Sequence, residues 1–239
     1  MSTTPERKTI LITGANRGVG LGVAKVYLEK GWRVVAAVRD PSKMPKLEGE
    51  VVVVKIDSES TTDPFDAVEE LKTKHNIHRL NTVFANAGAT PTPALLVDTT
   101  PDQLDFMLAT NVRGPLMLFR AVRPLLTDDD KFVGAGSDLG IMTGNLYKPY
   151  LGVYGTTKAA ITYLMRGLHH EEPKLMVFSL HPGFLDTDLG NAGAAMSGLD
   201  APPEKLSVAA PAIYELFENA TKEETSEYMW KYDGTKLPF

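Results

Sequence analysis

The sequence contains no cysteine among its 239 residues, and this absence removes several kinds of chemistry. Without thiols the chain has no disulfides, no zinc–thiolate sites and no cysteine nucleophile. Its five histidines lack the HExxH spacing of a helical zinc site, and no metal is predicted. No cluster of Lys and Arg stands out, and the formal net charge is −5, which argues against a nucleic-acid partner.

Long hydrophobic runs are also missing. No apolar stretch approaches the roughly 18 residues needed to span a bilayer, and the polar N-terminus lacks the apolar segment of a secretory signal. These absences predict a cytoplasmic protein without membrane association. With 43% hydrophobic residues, the length fits one domain over residues 1–239, with a flexible tail at residues 1–8.

Short apolar runs alternate with helix-like segments along the chain. Such runs are typical of buried parallel strands, here predicted over residues 9–13, 34–38, 51–56, 80–85, 131–135 and 175–180, with a last edge strand at 228–232. Helices are predicted over residues 19–30, 63–75, 101–126, 153–170 and 203–219. Because this alternation requires right-handed crossovers, we expect an α/β fold: a doubly wound, Rossmann-type parallel sheet with helices on both faces. Ligands then bind beyond the carboxyl ends of the strands.

A stretch rich in Ala, Gly and Pro, residues 192–203, follows the sixth predicted strand. We expect a mobile substrate loop over residues 190–203. Apolar residues in the loops at this edge form either a substrate wall or part of the core: Met142, Phe184, Leu185, Leu189 and Met196.

A glycine-rich turn with the spacing G-x3-G-x-G joins the first strand to the first helix. Such a turn brings the backbone close to a pyrophosphate and aims a helix N-terminus at its charge. A glycine turn is weak support by itself, because any turn with positive φ needs glycine. Its place between a buried strand and an amphipathic helix favours a dinucleotide site. The predicted cofactor-binding residues of this turn are Gly14, Asn16, Arg17, Gly18, Val19 and Gly20.

The end of the second strand distinguishes NADPH from NADH. Asp40 could accept a hydrogen bond from a ribose 2′-hydroxyl, as in NADH-binding folds. However, Asp40 also begins ordinary turn chemistry with Pro41 and Ser42. Arg39 and Arg17 together suit a 2′-phosphate. NADPH/NADP+ is therefore the predicted cofactor, with NADH as the alternative.

Tyr154 and Lys158 stand four residues apart at the start of a predicted helix. Residues at this spacing share a helix face. A lysine cation near a phenol favours the phenolate and lowers the phenol pKa from its usual value of about 10. By itself the pair is also compatible with a solvated helix surface.

Further markers occupy the predicted strand ends. Residues 86–88 (Asn-Ala-Gly) follow the fourth strand, Ser137 follows the fifth, and residues 182–187 follow the sixth, while Asn111 lies in the long helix. With the glycine turn and the Tyr-x3-Lys pair, these markers resemble the short-chain dehydrogenase/reductase family over residues 9–189. Residues 154–191 are most similar to fungal norsolorinic acid ketoreductase-like proteins.

This resemblance implies roles for four catalytic residues. Tyr154 would protonate the developing alkoxide, and Lys158 would bind the nicotinamide ribose and lower the tyrosine pKa. Ser137 would donate a hydrogen bond to the substrate oxygen, and Asn111 would hold a water in a proton relay behind Lys158.

The resemblance also implies further contacts to the cofactor. Asp57 would accept from the adenine amino group. The nicotinamide carboxamide would lie against Pro182, Gly183 and Thr187, and the adenosine ribose beside Asn86, Ala87 and Gly88.

The chain departs from the family pattern in three places. Gly136 replaces the first serine of the common Ser-Ser pair, and Ala85 replaces the first asparagine of Asn-Asn-Ala-Gly. The longer segment between Ser137 and Tyr154 adds two rival tyrosines, Tyr147 and Tyr150, in residues 144–150, but neither has a lysine at i+4.

The predicted function is therefore an NADPH-dependent ketoreductase acting on a small-molecule ketone, with a bulky apolar or aromatic polyketide-like carbonyl favoured. The alternatives are an NADP-linked alcohol dehydrogenase working in oxidation and a non-catalytic dinucleotide sensor. The resemblance further implies self-association, as a dimer or tetramer, through the helices that contain Asn111 and Tyr154.

Overall fold

The computed structural model describes residues 7–90, 92–143, 148–196 and 198–239. The strands are β1 (Thr9–Thr13), β2 (Arg33–Val38), β3 (Val51–Lys55), β4 (Thr82–Ala85), β5 (Lys131–Ala135), β6 (Met176–His181), β7 (Met229–Lys231) and β8 (Lys236–Leu237). The α-helices are α1 (Gly18–Glu29), α2 (Asp63–His75), α3 (Pro101–Leu108), α4 (Gly114–Val122), α5 (Gly152–Glu171), α6 (Asp188–Met196) and α7 (Leu206–Asn219).

All these strands belong to one sheet in the order β3-β2-β1-β4-β5-β6-β7-β8. Strands β1 to β7 pair in parallel, and β8 pairs antiparallel with β7. The strand order therefore reverses between β1 and β4, which confirms the predicted doubly wound sheet. The predicted last strand is present as β7, but β8 forms the edge beyond it.

Helices cover both faces of the sheet, because strands buried on both sides need two apolar layers. On one face α2, α4 and α5 pack on the sheet through residues such as Leu71, Phe119 and Met165. On the other face α1 and α7 pack through residues such as Tyr27 and Phe217. Both layers were expected from the sequence, and both are confirmed.

The single long helix predicted over residues 101–126 is wrong in part. Its start is as expected, because a capping box is present. The Thr100 hydroxyl accepts from the Gln103 backbone N–H, and the Gln103 side chain accepts from the Thr100 backbone N–H. A π-helical turn at Ala109–Arg113 then separates α3 from α4, and a 3₁₀ turn follows at Arg123–Leu125. Such a π turn is rare and persists where side-chain contacts stabilise it.

The stretch predicted as a loop, residues 190–203, instead continues α6 as far as Met196. The Thr187 hydroxyl accepts from the Gly190 N–H at 3.2 Å and satisfies one donor at the helix start. Asp188 places a negative charge in the first turn. The remaining predicted elements are present with small shifts of their ends.

The predicted flexible tail, residues 1–8, lies outside the described residues except at its end. There the Arg7 guanidinium contacts Glu50, and the Lys8 ammonium lies 3.5 Å from a Glu218 carboxylate oxygen. Within the described ranges, no helix combines the length and apolar character that crossing a membrane requires.

Candidate active site

Four loops meet at the carboxyl edge of the sheet. The glycine turn follows β1, residues 86–88 follow β4, Ser137 follows β5, and residues 182–183 follow β6. Because β1, β4, β5 and β6 are consecutive neighbours in the sheet, these loops lie side by side. The structure thus brings the predicted markers into one region.

The glycine turn is held in shape by contacts that exclude side chains. Gly14 and Gly18 have φ values of +66° and +53°, which favour glycine. A Cβ on Gly20 would lie 2.5 Å from the Gly14 carbonyl oxygen and 2.6 Å from Asn86 Nδ2. Asn86 Nδ2 donates to the Thr13 carbonyl at 2.9 Å. Asn86 therefore joins the end of β4 to the turn after β1.

The N-terminus of α1 is suited to a diphosphate. No side chain caps it, and its first turn contains no acidic residue. The first backbone N–H groups of a helix have no intrahelical partner and carry partial positive charge. The turn and this helix end therefore fit the pyrophosphate of a dinucleotide.

The residues predicted to distinguish the cofactors have different surroundings. Arg39 is exposed. The exposed guanidinium of Arg17 lies 3.8 Å from the Asp188 carboxylate at the start of α6. Asp40 accepts from the Ser42 N–H and hydroxyl at 3.1 and 2.7 Å, and these bonds lower the pKa of Asp40. Asp40 is thus engaged in its own turn.

Other predicted cofactor residues are held by local bonds. Asp57, two residues beyond the end of β3, accepts from the Glu59 N–H at 3.0 Å. Gly183 has a φ of +94°, and a Cβ there would lie 2.6 Å from a Glu204 carboxylate oxygen. The same Glu204 oxygen accepts from the Phe184 N–H at 2.6 Å, which fastens the loop after β6. Thr187 lies next to Gly18, where a Cβ would be 3.7 Å away.

Tyr154 and Lys158 lie in the first two turns of α5, and their side chains converge. The Lys158 ammonium is buried, donates to the Ala135 carbonyl at 2.7 Å, and lies 5.3 Å from the Tyr154 ring centroid. The aromatic ring of Tyr154 is half-buried. The predicted sharing of one helix face is confirmed.

Ser137 lies in the loop after β5, beside this pair. Its buried hydroxyl donates to Asp138 Oδ1 at 3.1 Å and accepts from the Leu139 N–H at 3.2 Å. Two glycines permit the approach of this loop to α5. A Cβ on Gly140 would lie 2.6 Å from the Ala159 nitrogen, and one on Gly155 would lie 2.7 Å from the Leu139 carbonyl oxygen.

The expected effect of Lys158 on the Tyr154 pKa is not found. Burial raises the pKa of Tyr154 to about 12, the nearby Asp138 charge raises it further, and its side-chain hydrogen bond with Ser137 opposes both. Burial lowers the pKa of Lys158 to about 8. Because the ammonium donates to a backbone carbonyl rather than to the phenol, desolvation dominates both groups.

Asn111 occupies the π turn and joins three segments. Its Oδ1 accepts from the Ala89 N–H at 2.8 Å, and its Nδ2 donates to the Ala89 carbonyl and the Thr157 hydroxyl, both at 3.0 Å. Thr157 in turn donates to the Tyr154 carbonyl at 2.8 Å. The side chain therefore positions α5 against the loop after β4. Its predicted water-holding role stays a prediction.

Residues at the rim of the site divide into buried and exposed groups. Leu185 is buried and belongs to the core, whereas Met142, Leu189 and Met196 are exposed. Of the rival tyrosines, Tyr150 is 50% exposed and Tyr147 lies outside the described residues. Across the described ranges, no group of three or more His, Asp or Glu is arranged to hold a metal ion.

Sequence reasoning missed a second pair of titratable residues at this site. His181 ends β6 and is buried, and its Nε2 lies 3.9 Å from Asp138 Oδ2. Burial lowers the pKa of His181, with smaller opposing effects of Asp138 and Glu204. Only their positions at the ends of the adjacent strands β5 and β6 could have indicated the pair.

Comparisons with known proteins agree with this geometry. A family model described as short chain dehydrogenase matches residues 8–197. Norsolorinic acid ketoreductase nor1 of Dothistroma septosporum is 36% identical, over 98% of this chain and 93% of its own length. Norsolorinic acid ketoreductase of Aspergillus parasiticus is 32% identical, over 98% of this chain and 92% of its own. The solved structure of carbonyl reductase Sniffer of D. melanogaster is 25% identical with a TM-score of 0.86, over 98% of this chain and all (100%) of that chain.

These matches confirm the resemblance seen in the motifs, including the similarity to fungal ketoreductases of this kind. The protein belongs to the short chain dehydrogenase family, whose members are oxidoreductases that use nicotinamide dinucleotides.

Proposed function

We propose that this protein is an NADPH-dependent ketoreductase that transfers hydride to a ketone. One observation carries the proposal: Ser137, Tyr154 and the buried Lys158 lie together at the end of β5, in the same strand-end region as the glycine turn. This set offers a proton donor and a hydrogen-bond donor to one carbonyl oxygen.

A bound nicotinamide dinucleotide supplies the hydride. As negative charge develops on the carbonyl oxygen, the Tyr154 hydroxyl donates its proton to that oxygen, and the Ser137 hydroxyl donates a hydrogen bond to it. A phenol with its pKa raised to about 12 keeps its proton at neutral pH, and an alkoxide is basic enough to take that proton. Lys158 would offer its ammonium to the ribose hydroxyls of the bound dinucleotide.

The preference for NADPH is supported by charge at two neighbouring strand ends. Arg17 and Arg39, after β1 and β2, are both exposed and suit a 2′-phosphate. Asp40, which a 2′-hydroxyl of NADH would need, accepts from Ser42 and lies 3.5 Å from the Lys43 ammonium.

A bulky apolar or aromatic ketone is the proposed substrate class. The relatives from Dothistroma septosporum and Aspergillus parasiticus support it by their names, since both are called norsolorinic acid ketoreductases. The exposed apolar side chains of Leu189 and Met196 on α6, which follows the loop after β6, also support it.

The oxidative alternative, an NADP-linked alcohol dehydrogenase, needs Tyr154 as a phenolate. The raised pKa of Tyr154 keeps the phenol protonated at neutral pH, which is the state that a proton donor in reduction needs. The alternative of a non-catalytic dinucleotide sensor is disfavoured because Ser137, Tyr154 and Lys158 are all present and adjacent.

Self-association is proposed through the outer faces of α4 and α5. An apolar groove of about 590 Å³ lies there, lined by residues that include Leu116, Met142, Tyr163, Leu164 and Leu168. Tyr163 is 75% exposed and Met142 is 81% exposed. Large exposed apolar groups that lie together in one patch are typical of subunit interfaces. A cytoplasmic location stays a prediction.

Replacing Tyr154 with Phe removes the proton donor but leaves the ring in place. We expect kcat with a ketone to fall by about 10²-fold or more, while the Kd for NADPH changes little. Loss of absorbance at the nicotinamide band measures turnover, and fluorescence titration measures Kd. Tyr150→Phe is the matched control and should keep full activity; retained activity in Tyr154→Phe would place the donor elsewhere.

Arg39→Ala tests the cofactor preference. Loss of a charge-assisted hydrogen bond should weaken NADPH binding by roughly 10- to 100-fold and leave NADH binding nearly unchanged. Asp40→Ala is the companion variant and should affect neither cofactor strongly. Titration of both variants with both cofactors decides: weaker NADH binding in Asp40→Ala would reverse the proposed preference.

Lys158→Met tests the cost of the buried cation. Burial lowers the pKa of Lys158 from 10.5 to about 8, so folding disfavours its charged form. The unfolded chain binds more protons between these pH values, and this penalty, about 3 kcal/mol below pH 8, disappears as pH rises to about 10.5. We therefore expect the stability of the variant relative to wild type to be greatest at pH 7 and to fall toward pH 10.

Urea unfolding at pH 7 and at pH 10 measures this difference. Lys25→Met, which removes an exposed lysine from α1, is the control and should show no such trend. A pH-independent difference between Lys158→Met and wild type would contradict a destabilising buried ammonium.

Tyr163→Glu tests self-association by placing a charge in the apolar groove. We expect a shift from oligomer to monomer, measured by sedimentation, because the charge must lose its hydration at the interface. Val208→Glu, at a 61% exposed position on α7, should leave the oligomer intact. An oligomer that survives Tyr163→Glu would place the interface on another face.

A further inference from the structure

Asp138 lies between the catalytic serine and a buried histidine. Its Oδ1 accepts from the Ser137 hydroxyl at 3.1 Å, and its Oδ2 lies 3.9 Å from His181 Nε2. The Asp138 backbone N–H donates to His181 Nδ1 at 3.4 Å, which leaves Nε2 to carry the proton of the neutral ring. The carboxylate thus accepts from Ser137 and lies near the buried imidazole.

This carboxylate differs from others that follow strands in this fold. Asp40 and Asp57 use their side chains to accept backbone N–H groups of their own turns. In the turn after β5 the backbone N–H of Leu139 is instead bonded by the Ser137 hydroxyl, which accepts from it. Asp138 is not required for the turn, and its side chain remains 44% exposed. It is therefore available to a ligand.

The contact with Asp138 restricts what Ser137 can do. A serine hydroxyl has a single proton, and here Asp138 accepts it. A ketone that offers only its carbonyl oxygen must compete for that proton with a carboxylate, which is a stronger acceptor. A substrate that also brings a hydroxyl donor gives Asp138 a replacement partner and releases the serine proton to the carbonyl.

Geometry limits where that hydroxyl can be. The two oxygens of an α- or β-hydroxy ketone lie about one hydrogen-bond length apart, as do Ser137 Oγ and Asp138 Oδ1. With its carbonyl on Ser137, such a compound can place its hydroxyl on Asp138.

We propose that Asp138 is a specificity-determining residue that selects ketones with a hydroxyl group on the α or β carbon. This proposal rests on the proposed ketoreductase function and names a substrate feature within it. The bond from the Asp138 backbone N–H to His181 fixes the backbone that carries this carboxylate. A carboxylate at this place also disfavours substrates with an anionic group beside the carbonyl.

Two compounds and two variants test the proposal. We compare kcat/KM for 2-hydroxyacetophenone and 2-methoxyacetophenone, which differ in the donor, in wild type, Asp138→Leu and Asp138→Asn. Wild type should prefer the hydroxy compound by about 10-fold or more, since a site built for a hydroxyl rejects the analogue without it. Asp138→Leu should lose this preference, and its kcat/KM for the methoxy compound should increase because Ser137 is released. Asp138→Asn, which keeps an acceptor, should retain part of the preference.

The melting temperature and the Kd for NADPH of each variant serve as controls for folding and cofactor binding. A preference that survives in Asp138→Leu, or an equal loss of activity with both compounds, overturns the proposal. If wild type reduces neither compound, the ketoreductase function fails for them, and calorimetric binding of both to the enzyme with NADP+ decides about Asp138. Tighter binding of the hydroxy compound that disappears in Asp138→Leu supports the proposal, and equal binding overturns it.

Discussion

The hydrogen bond from the Lys158 ammonium to the Ala135 carbonyl is the contact on which the site depends. It fastens the second turn of α5 to the last residue of β5, at a length of 2.7 Å and out of contact with solvent. The loop after β5 can also approach α5 closely, because Gly140 and Gly155 present no side chain where the two meet. Tyr154, one turn earlier, is thereby placed next to the serine loop. The geometry of the proposed catalytic residues is thus a consequence of helix-to-strand packing.

The same burial determines the protonation states. Desolvation disfavours charge on either group, so it raises the pKa of Tyr154 and lowers that of Lys158. The phenol therefore holds its proton, as a donor in reduction must. Because the pKa of Lys158 is lowered to about 8, the ammonium is only slightly more stable than the neutral amine at neutral pH. A bound dinucleotide with hydroxyls facing it would favour the charged form. Folding thus disfavours the charged form of Lys158, and this cost falls at a proposed catalytic position.

Much of the fold and part of the site could be predicted from the sequence, because buried strands and glycine spacings are local patterns. The π turn around Asn111 could not be predicted, because the hydrogen bonds that stabilise it join Asn111 to Ala89 and Thr157, which are far away along the chain. The helix at Asp188–Met196 was missed because Ala and Gly suggested a loop, although Thr187 satisfies its first turn. The pKa of Tyr154 was predicted in the wrong direction because spacing shows proximity but not burial.

Asp138 and His181 illustrate a different limit. They are far apart in sequence, and each follows or ends a strand like many residues without a ligand. Only the parallel pairing of β5 with β6 brings them together. Once paired, they supply an acceptor next to the two donors, Ser137 and Tyr154. A site with two donors and one acceptor is complementary to a molecule with a carbonyl and a neighbouring hydroxyl, and the Ser137 proton then has a partner both with and without substrate.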